Sequence, residues 1–128
     1  MGGGSWATAL AKLLLSNCET ITWYMRRDDR IEEFKRLRHN PAYLTDVPFD
    51  IERIEFSSDI NKVCDSCDTL LLAMPSPYFK DHISKIEVDL SQKAIVSAIK
   101  GIVPDENELI TDYMIHRFGV APSKTLVI

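Results

Sequence analysis

Two short runs constrain the fold more than any other part of this chain. Thr69-Leu70-Leu71-Leu72-Ala73-Met74 and Ala94-Ile95-Val96-Ser97-Ala98-Ile99 are apolar almost without interruption. A strand of that kind has to be covered on both faces, which points to a parallel sheet with helices on each side. The segments around them agree. From Ser5 to about Ser16, Trp6, Ala9, Leu10, Leu13 and Leu14 recur at helical spacing, with Ser5 available as a cap. Thr20 to Met25 is short, β-branched and aromatic, and reads as a strand ending at Arg26-Arg27. Asp28 to Arg38 places Ile31, Phe34 and Leu37 on one face of a second helix.

His39 to Asp50, with Pro41 and Pro48, is predicted as a loop. Ile51 to Phe56 alternates apolar and polar residues as a strand near a sheet edge does. Helices are expected over about 59–64, over 78–86 after Pro75-Ser76-Pro77, and from Pro104 to Phe118. The last carries Leu109, Ile110, Met114 and Phe118 as its apolar face and Gly119 as its stop. Thr125 to Ile128 starts a further strand. Strict alternation of helices and strands makes the chain an α/β protein with a parallel sheet and helices on both faces.

The length of 128 residues suits one domain. With 15 basic and 19 acidic side chains the formal net charge is −4, which argues against a general nucleic-acid surface and leaves room for a local phosphate pocket. No apolar run approaches the ~18–20 residues that span a bilayer, and no secretory signal pattern opens the chain. No membrane partner is therefore expected, and a cytoplasmic protein is. Cys18, Cys64 and Cys67 are an odd number without that signal, so free thiols are the expectation. Cys64-Asp65-Ser66-Cys67 precedes a strand instead of opening a helix after one, and lacks two further zinc ligands nearby, so no metal site is assigned to it.

In a doubly wound sheet, ligands bind outside the carboxyl ends of the strands. Met1-Gly2-Gly3-Gly4-Ser5-Trp6-Ala7 carries the spacing G-x-G-x-x-G/A at Gly2, Gly4 and Ala7. In that turn the first glycine permits the bend, the second admits a pyrophosphate to the backbone, and the small third residue packs the helix on the sheet. The phosphates meet the amides of a helix N-terminus. Read without the rest of the chain, Gly2-Gly3-Gly4-Ser5 is equally a flexible linker; the alternating elements downstream favour the turn. Restoring a strand ahead of Gly2 gives six strands, as in the dinucleotide fold with strand order 3-2-1-4-5-6, so the first strand is read as missing. A P-loop is excluded because no Lys-Ser/Thr follows at the required offset.

About 20 residues past the glycines, such sites present a carboxylate to a ribose 2′-hydroxyl or an arginine to a 2′-phosphate. Arg26 and Arg27 occupy this place, which favours NADPH, while Asp28 leaves an NAD-type contact open. Lys100 ends a buried strand beside Gly101 and suits a phosphate or a substrate carbonyl oxygen.

Four segments together, Gly2 to Leu10, Asn40-Pro41-Ala42-Tyr43-Leu44, Ala73-Met74-Pro75-Ser76 and Ser97-Ala98-Ile99-Lys100-Gly101-Ile102, resemble the bacterial NAD(P)-dependent sn-glycerol-3-phosphate dehydrogenases in order and spacing. The resemblance runs over the whole chain. It implies a Rossmann-like domain of an oxidoreductase that interconverts dihydroxyacetone phosphate and sn-glycerol 3-phosphate for glycerophospholipid synthesis. It also implies cofactor contacts from Gly2, Gly4, Ser5, Trp6, Arg26 and Lys100, weaker ones from Arg27 and Tyr43, and a second role for Lys100 on the phosphorylated triose. A homodimer is open for the full-length enzyme. The alternative is a non-catalytic nucleotide-binding or redox-sensing module on the same fold.

Members of that family continue into a helical substrate domain carrying the acid/base lysine, so no catalytic residue is assigned within this chain, which is read as a cofactor-domain fragment. A missing central strand would cost several kcal/mol against a total stability of ~5–15 kcal/mol. Residues 1–128 alone are therefore expected to bind NADPH weakly or not at all and to show no turnover. Oxidation of NADPH by this chain with dihydroxyacetone phosphate would refute the fragment reading.

Overall fold

The computed structural model describes residues 1–128, which divide into two compact units, Met1–Asp59 and Ile60–Ile128. In the first, helix α1 (Ser5–Leu15) leads to strand β1 (Ile21–Tyr24), helix α2 (Asp28–Leu37) and strand β2 (Ile54–Ser57). The strands pair in parallel from Ile21 opposite Ile54 to Tyr24 opposite Ser57. In the second unit, α3 (Ile60–Ser66), β3 (Thr69–Leu72), α4 (Phe79–Ile83), β4 (Ala94–Ser97), α5 (Ile110–Phe118) and β5 (Thr125–Val127) follow in turn. Its parallel sheet has the order β3-β4-β5, with Thr69 opposite Ala94 and Ile95 opposite Thr125. Counted with a strand ahead of them, β1 to β5 become second to sixth, and the pairings seen are 3-2 and 4-5-6 of the dinucleotide fold.

The first unit is built on an aromatic cluster. Trp23 of β1 lies 5.3 Å from Phe34 of α2 in an edge-on contact, and Phe34 is 5.2 Å from Phe49 and 5.0 Å from Phe56. Rings in such edge and tilted arrangements attract beyond the area they bury. Ile31, Ile54, Ala11 and Leu15 close the cluster around them. In the second unit Leu70, Leu72 and Ile95 are buried on one face of the sheet, whereas Leu71 and Val96 on the other are only half-buried, so the expected cover on both faces is complete on one alone.

Three expectations need correction. The helix from Pro104 starts only at Ile110. Asp105 and Asn107 have φ of 68° and 53°, and Ile102 bridges Leu109 antiparallel, so residues 102–109 form a hairpin-like loop and Leu109 is 54% exposed. Short acidic and amide side chains tolerate the left-handed region better than other residues with a Cβ, and that local freedom outweighs the apolar spacing. The strand from Ile51 begins at Ile54, after a 3-10 turn over Ile51–Arg53. Arg53 is drawn off to the end of α1, where its guanidinium donates to the carbonyls of Leu15, Cys18 and Glu19. The helix placed over 78–86 is a 3-10 turn, Ser76–Tyr78, followed by α4. The stop at Gly119 is present, with φ of 67° and an amide bonded to Ile115.

Cys64 of α3 is buried, while Cys18 is exposed, and all three cysteines are free thiols. Burial, with a smaller contribution from Cys67, pushes the Cys64 thiol up to about 11. Above the ordinary thiol value the unfolded chain loses this proton while the folded chain keeps it, so stability falls as pH rises from 9 toward 11. The urea midpoint is expected to drop over that range, and Cys64→Ala should lessen the drop. A thiol reagent near neutral pH should label Cys18 and spare Cys64; equal labelling rates in the folded chain would contradict this placement.

Candidate functional site

The glycine turn is held from behind at each of its carbonyls. Gly2 donates its amide to Tyr24 O at 3.1 Å and accepts the indole N–H of Trp23 at its own oxygen, 2.6 Å away. Gly3 O accepts from the Asn40 amide nitrogen at 3.3 Å. Gly4 O accepts from both the hydroxyl of Thr8 at 2.7 Å and its backbone N–H at 3.0 Å. No peptide bond in the chain is cis. In a trans peptide the N–H points opposite the C=O, so the amides of Gly3, Gly4 and Ser5 face away from these three holders.

The three glycines differ. Gly2 has φ of 123°, a conformation that favours a residue without a Cβ. A Cβ on Gly3, which the fingerprint leaves free, would come within 3.2 Å of Met25 Cε, a tight approach that a small shift of that flexible side chain would relieve. A Cβ on Gly4 would meet nothing within 4 Å. Nothing in the protein requires a glycine there, and the open space is what close approach of a ligand needs. Ala7 is buried where α1 packs.

The expectation that Ser5 caps α1 is not met. Gly4 occupies the cap position in extended conformation, no side chain caps the helix, and Ser5 is its first residue. The first amides of α1 are thus left to solvent or to an anion, with the positive end of the helix dipole behind them. Trp6 and Tyr43 are 49% and 47% exposed.

The two arginines after β1 differ. Arg27 lays its guanidinium on Asp29, with Nε 3.0 Å from Oδ1 and Nη2 2.5 Å from Oδ2, and that hydrogen bond raises its pKa. Arg26 is exposed and makes no ion pair. Lys100 belongs to the second unit. It lies exposed after β4, next to Gly101, whose φ is 111° and where a Cβ would come within 3.3 Å of Ser76 Oγ. The Pro75-Ser76 and Lys100-Gly101 segments therefore meet at the carboxyl ends of β3 and β4. The structure brings Gly2, Gly4, Ser5 and Trp6 together by sequence and by the turn, and places Arg26, Arg27 and Tyr43 in the same unit.

Sequence reasoning missed Trp23, Thr8 and Asn40 as parts of this turn. Thr8 is buried and polar within an apolar helix face, a signal open to sequence reading. Asn40 was noted only as part of a motif.

Over residues 1–128 the chain matches the family described as NAD-dependent glycerol-3-phosphate dehydrogenase N-terminus. It belongs to that family. It is 32% identical over 114 residues to a glycerol-3-phosphate dehydrogenase (NAD(P)+) of Ectopseudomonas mendocina, covering 89% of this chain and 33% of that protein. It is 29% identical over 130 residues to one of Prosthecochloris aestuarii, covering all of this chain and 39% of the relative. The chain thus spans about a third of the length of the curated relatives it matches. Among solved structures, the Coxiella burnetii glycerol-3-phosphate dehydrogenase superposes with a TM-score of 0.79 at 23% identity, over 98% of this chain and 38% of that one. The Plasmodium falciparum enzyme gives 0.78 at 22% identity, over 93% and 37%. These likenesses establish the Rossmann-like fold of the glycerol-3-phosphate dehydrogenase cofactor domain. No helix is long and apolar enough to cross a membrane.

Proposed function

We propose that these residues form the NAD(P)-binding part of an enzyme that moves a hydride between NAD(P)H and dihydroxyacetone phosphate or sn-glycerol 3-phosphate. The observation that carries this reading is the glycine turn. Its carbonyls are bonded inward, its second glycine opens on free space, and the helix behind it lacks a side-chain cap. That combination suits the pyrophosphate of a dinucleotide.

The nicotinamide supplies the hydride chemistry, and the chain's own groups bind and orient it. Ser5 and Trp6 extend the turn toward the cofactor, and Tyr43 lies on the loop tied to the same turn. Arg26, free of ion pairs, is the residue for a 2′-phosphate; Arg27 is engaged by Asp29 and ranks behind it. Asp28, at the start of α2, suits a ribose hydroxyl in an NAD-bound form. Lys100, exposed beyond β4, is assigned to the cofactor and to the phosphorylated triose.

In this reading residues 1–128 are the N-terminal domain of a longer cytoplasmic enzyme, whose helical substrate domain provides the acid/base lysine. The share of relatives' length left uncovered, about two-thirds, supports it.

Cofactor preference is the part most open to test. A charge-assisted hydrogen bond of about 1.5–3 kcal/mol corresponds to roughly tenfold or more in affinity. Arg26→Asp is expected to lower the NADPH-to-NADH affinity ratio by that factor, whereas Arg27→Ala moves it less. An unchanged ratio in Arg26→Asp, measured by titration of both nucleotides, would remove the 2′-phosphate from this arginine.

A further inference from the structure

Asn40 is 1% exposed, yet it belongs to a loop, and every hydrogen-bonding position of its side chain is used. The amide nitrogen donates to Thr8 Oγ1 at 2.8 Å and to Gly3 O at 3.3 Å. The amide oxygen accepts the backbone N–H groups of Ala42 at 2.9 Å and Tyr43 at 3.1 Å. Thr8, itself fully buried, passes the chain on through its hydroxyl to Gly4 O. One side chain therefore fixes two consecutive peptide units of the glycine turn and, on its other side, the main chain that carries Tyr43.

Few residues can do this. Two donors and two acceptors on one planar group are the property of an amide, and a methylene more, as in glutamine, would displace it. Aspartate keeps the acceptor side and loses both donors. It would set a carboxylate oxygen against Gly3 O and place a negative charge behind the amides that face an anion. A half-satisfied buried polar network is less favourable than a complete one, which explains why the amide is specified so closely.

We propose that Asn40 is the positioning residue of the cofactor site. By holding the Gly3 carbonyl directly and the Gly4 carbonyl through Thr8, it turns the Gly4 and Ser5 amides toward the dinucleotide diphosphate, and it sets the Tyr43 segment in register with that turn. This rests on the NAD(P) reading above and goes beyond it, because Asn40 itself touches no cofactor. Its effect on affinity is exerted through groups that do.

The test is NADPH affinity of the full-length enzyme, because residues 1–128 alone are expected to bind weakly or not at all, followed by backbone amide shifts up to millimolar nucleotide, for the parent, Asn40→Asp and Thr8→Val. At about pH 8 the introduced carboxyl is ionised and Asn40→Asp is expected to bind at least roughly tenfold more weakly, the size of one charge-assisted hydrogen bond. Burial raises a carboxyl pKa, so the deficit should narrow toward about pH 5, where the protonated group regains a donor. His39, whose Nδ1 lies 3.0 Å from Asn40 O, and Tyr43 are the ionisable groups of this segment, so the parent's own profile is the reference. A merely structural residue would lower the melting temperature without a pH-dependent change in the affinity of the folded protein. Should Asn40→Asp fail to fold, Thr8→Val, which breaks the same link without a charge, is expected to weaken NADPH several-fold. Parent-like affinity in a folded Asn40→Asp at both pH values, or in Thr8→Val where the former does not fold, overturns the inference and leaves the cofactor site standing. No saturable shift in the parent overturns the cofactor reading itself, and this inference with it.

Discussion

Three carbonyls that bond inward are the constraint on which the rest of the first unit depends. Gly2, Gly3 and Gly4 give their oxygens to the Trp23 indole, the Asn40 amide and the Thr8 hydroxyl. None of these donors lies within the turn itself. Trp23 is locked by Phe34, Phe49 and Phe56, so packing between β1, α2 and the loop before β2 sets where the first donor stands. Thr8 is set by α1, and Asn40 by its loop. The hydrophobic core thereby controls the direction of backbone amides several residues away. Helix propensity alone would have left the same N-terminus free to fray or to capture a side-chain cap.

The opposite end of α1 is fixed by a charge. Arg53 reaches the carbonyl of Leu15, which the helix C-terminus leaves open, and those of Cys18 and Glu19 just beyond it, placing a cation where the dipole favours one. Held at both ends, the helix offers its first amides in a fixed direction. The second unit reaches a comparable strictness by sterics. Gly101 follows Lys100 because its φ of 111° would strain any residue with a side chain, and a Cβ there would also press to within 3.3 Å of Ser76 Oγ.

Much of this was legible in the chain itself. The β3 and β4 runs announced a parallel sheet through their unbroken apolarity, and α2 and the Gly119 stop followed from spacing and cap chemistry. Helix α1 lies where expected, but of its expected face of Trp6, Ala9, Leu10, Leu13 and Leu14 only Leu10 is buried, and the helix packs through Ala7, Thr8, Leu10, Ala11 and Leu15. What escaped has physical reasons. The helix was expected from Pro104 on the strength of an apolar face that starts only at Leu109, whereas Asp105 and Asn107 ahead of it adopt left-handed backbone, which that spacing cannot register. Ser5 looked like a cap because its residue type suits one, while the cap position went to Gly4. The residues alone do not separate Arg26 from Arg27 and the family resemblance ranks Arg27 second; the fork between Arg27 and Asp29 supplies a physical reason for that order. Trp23 and Asn40 act on the turn from 21 and 37 residues away along the chain, and contacts of that separation leave no local pattern.

The central claim is that the outward amides of this turn receive a diphosphate. Its most direct test is to follow the backbone amides of the chain while NADPH is added to millimolar concentration. The amides of Gly4, Ser5, Trp6 and Ala7 should shift first and furthest, in a saturable way, with inorganic pyrophosphate moving the same group. Saturable binding that leaves these four amides in place and moves another segment would contradict the account.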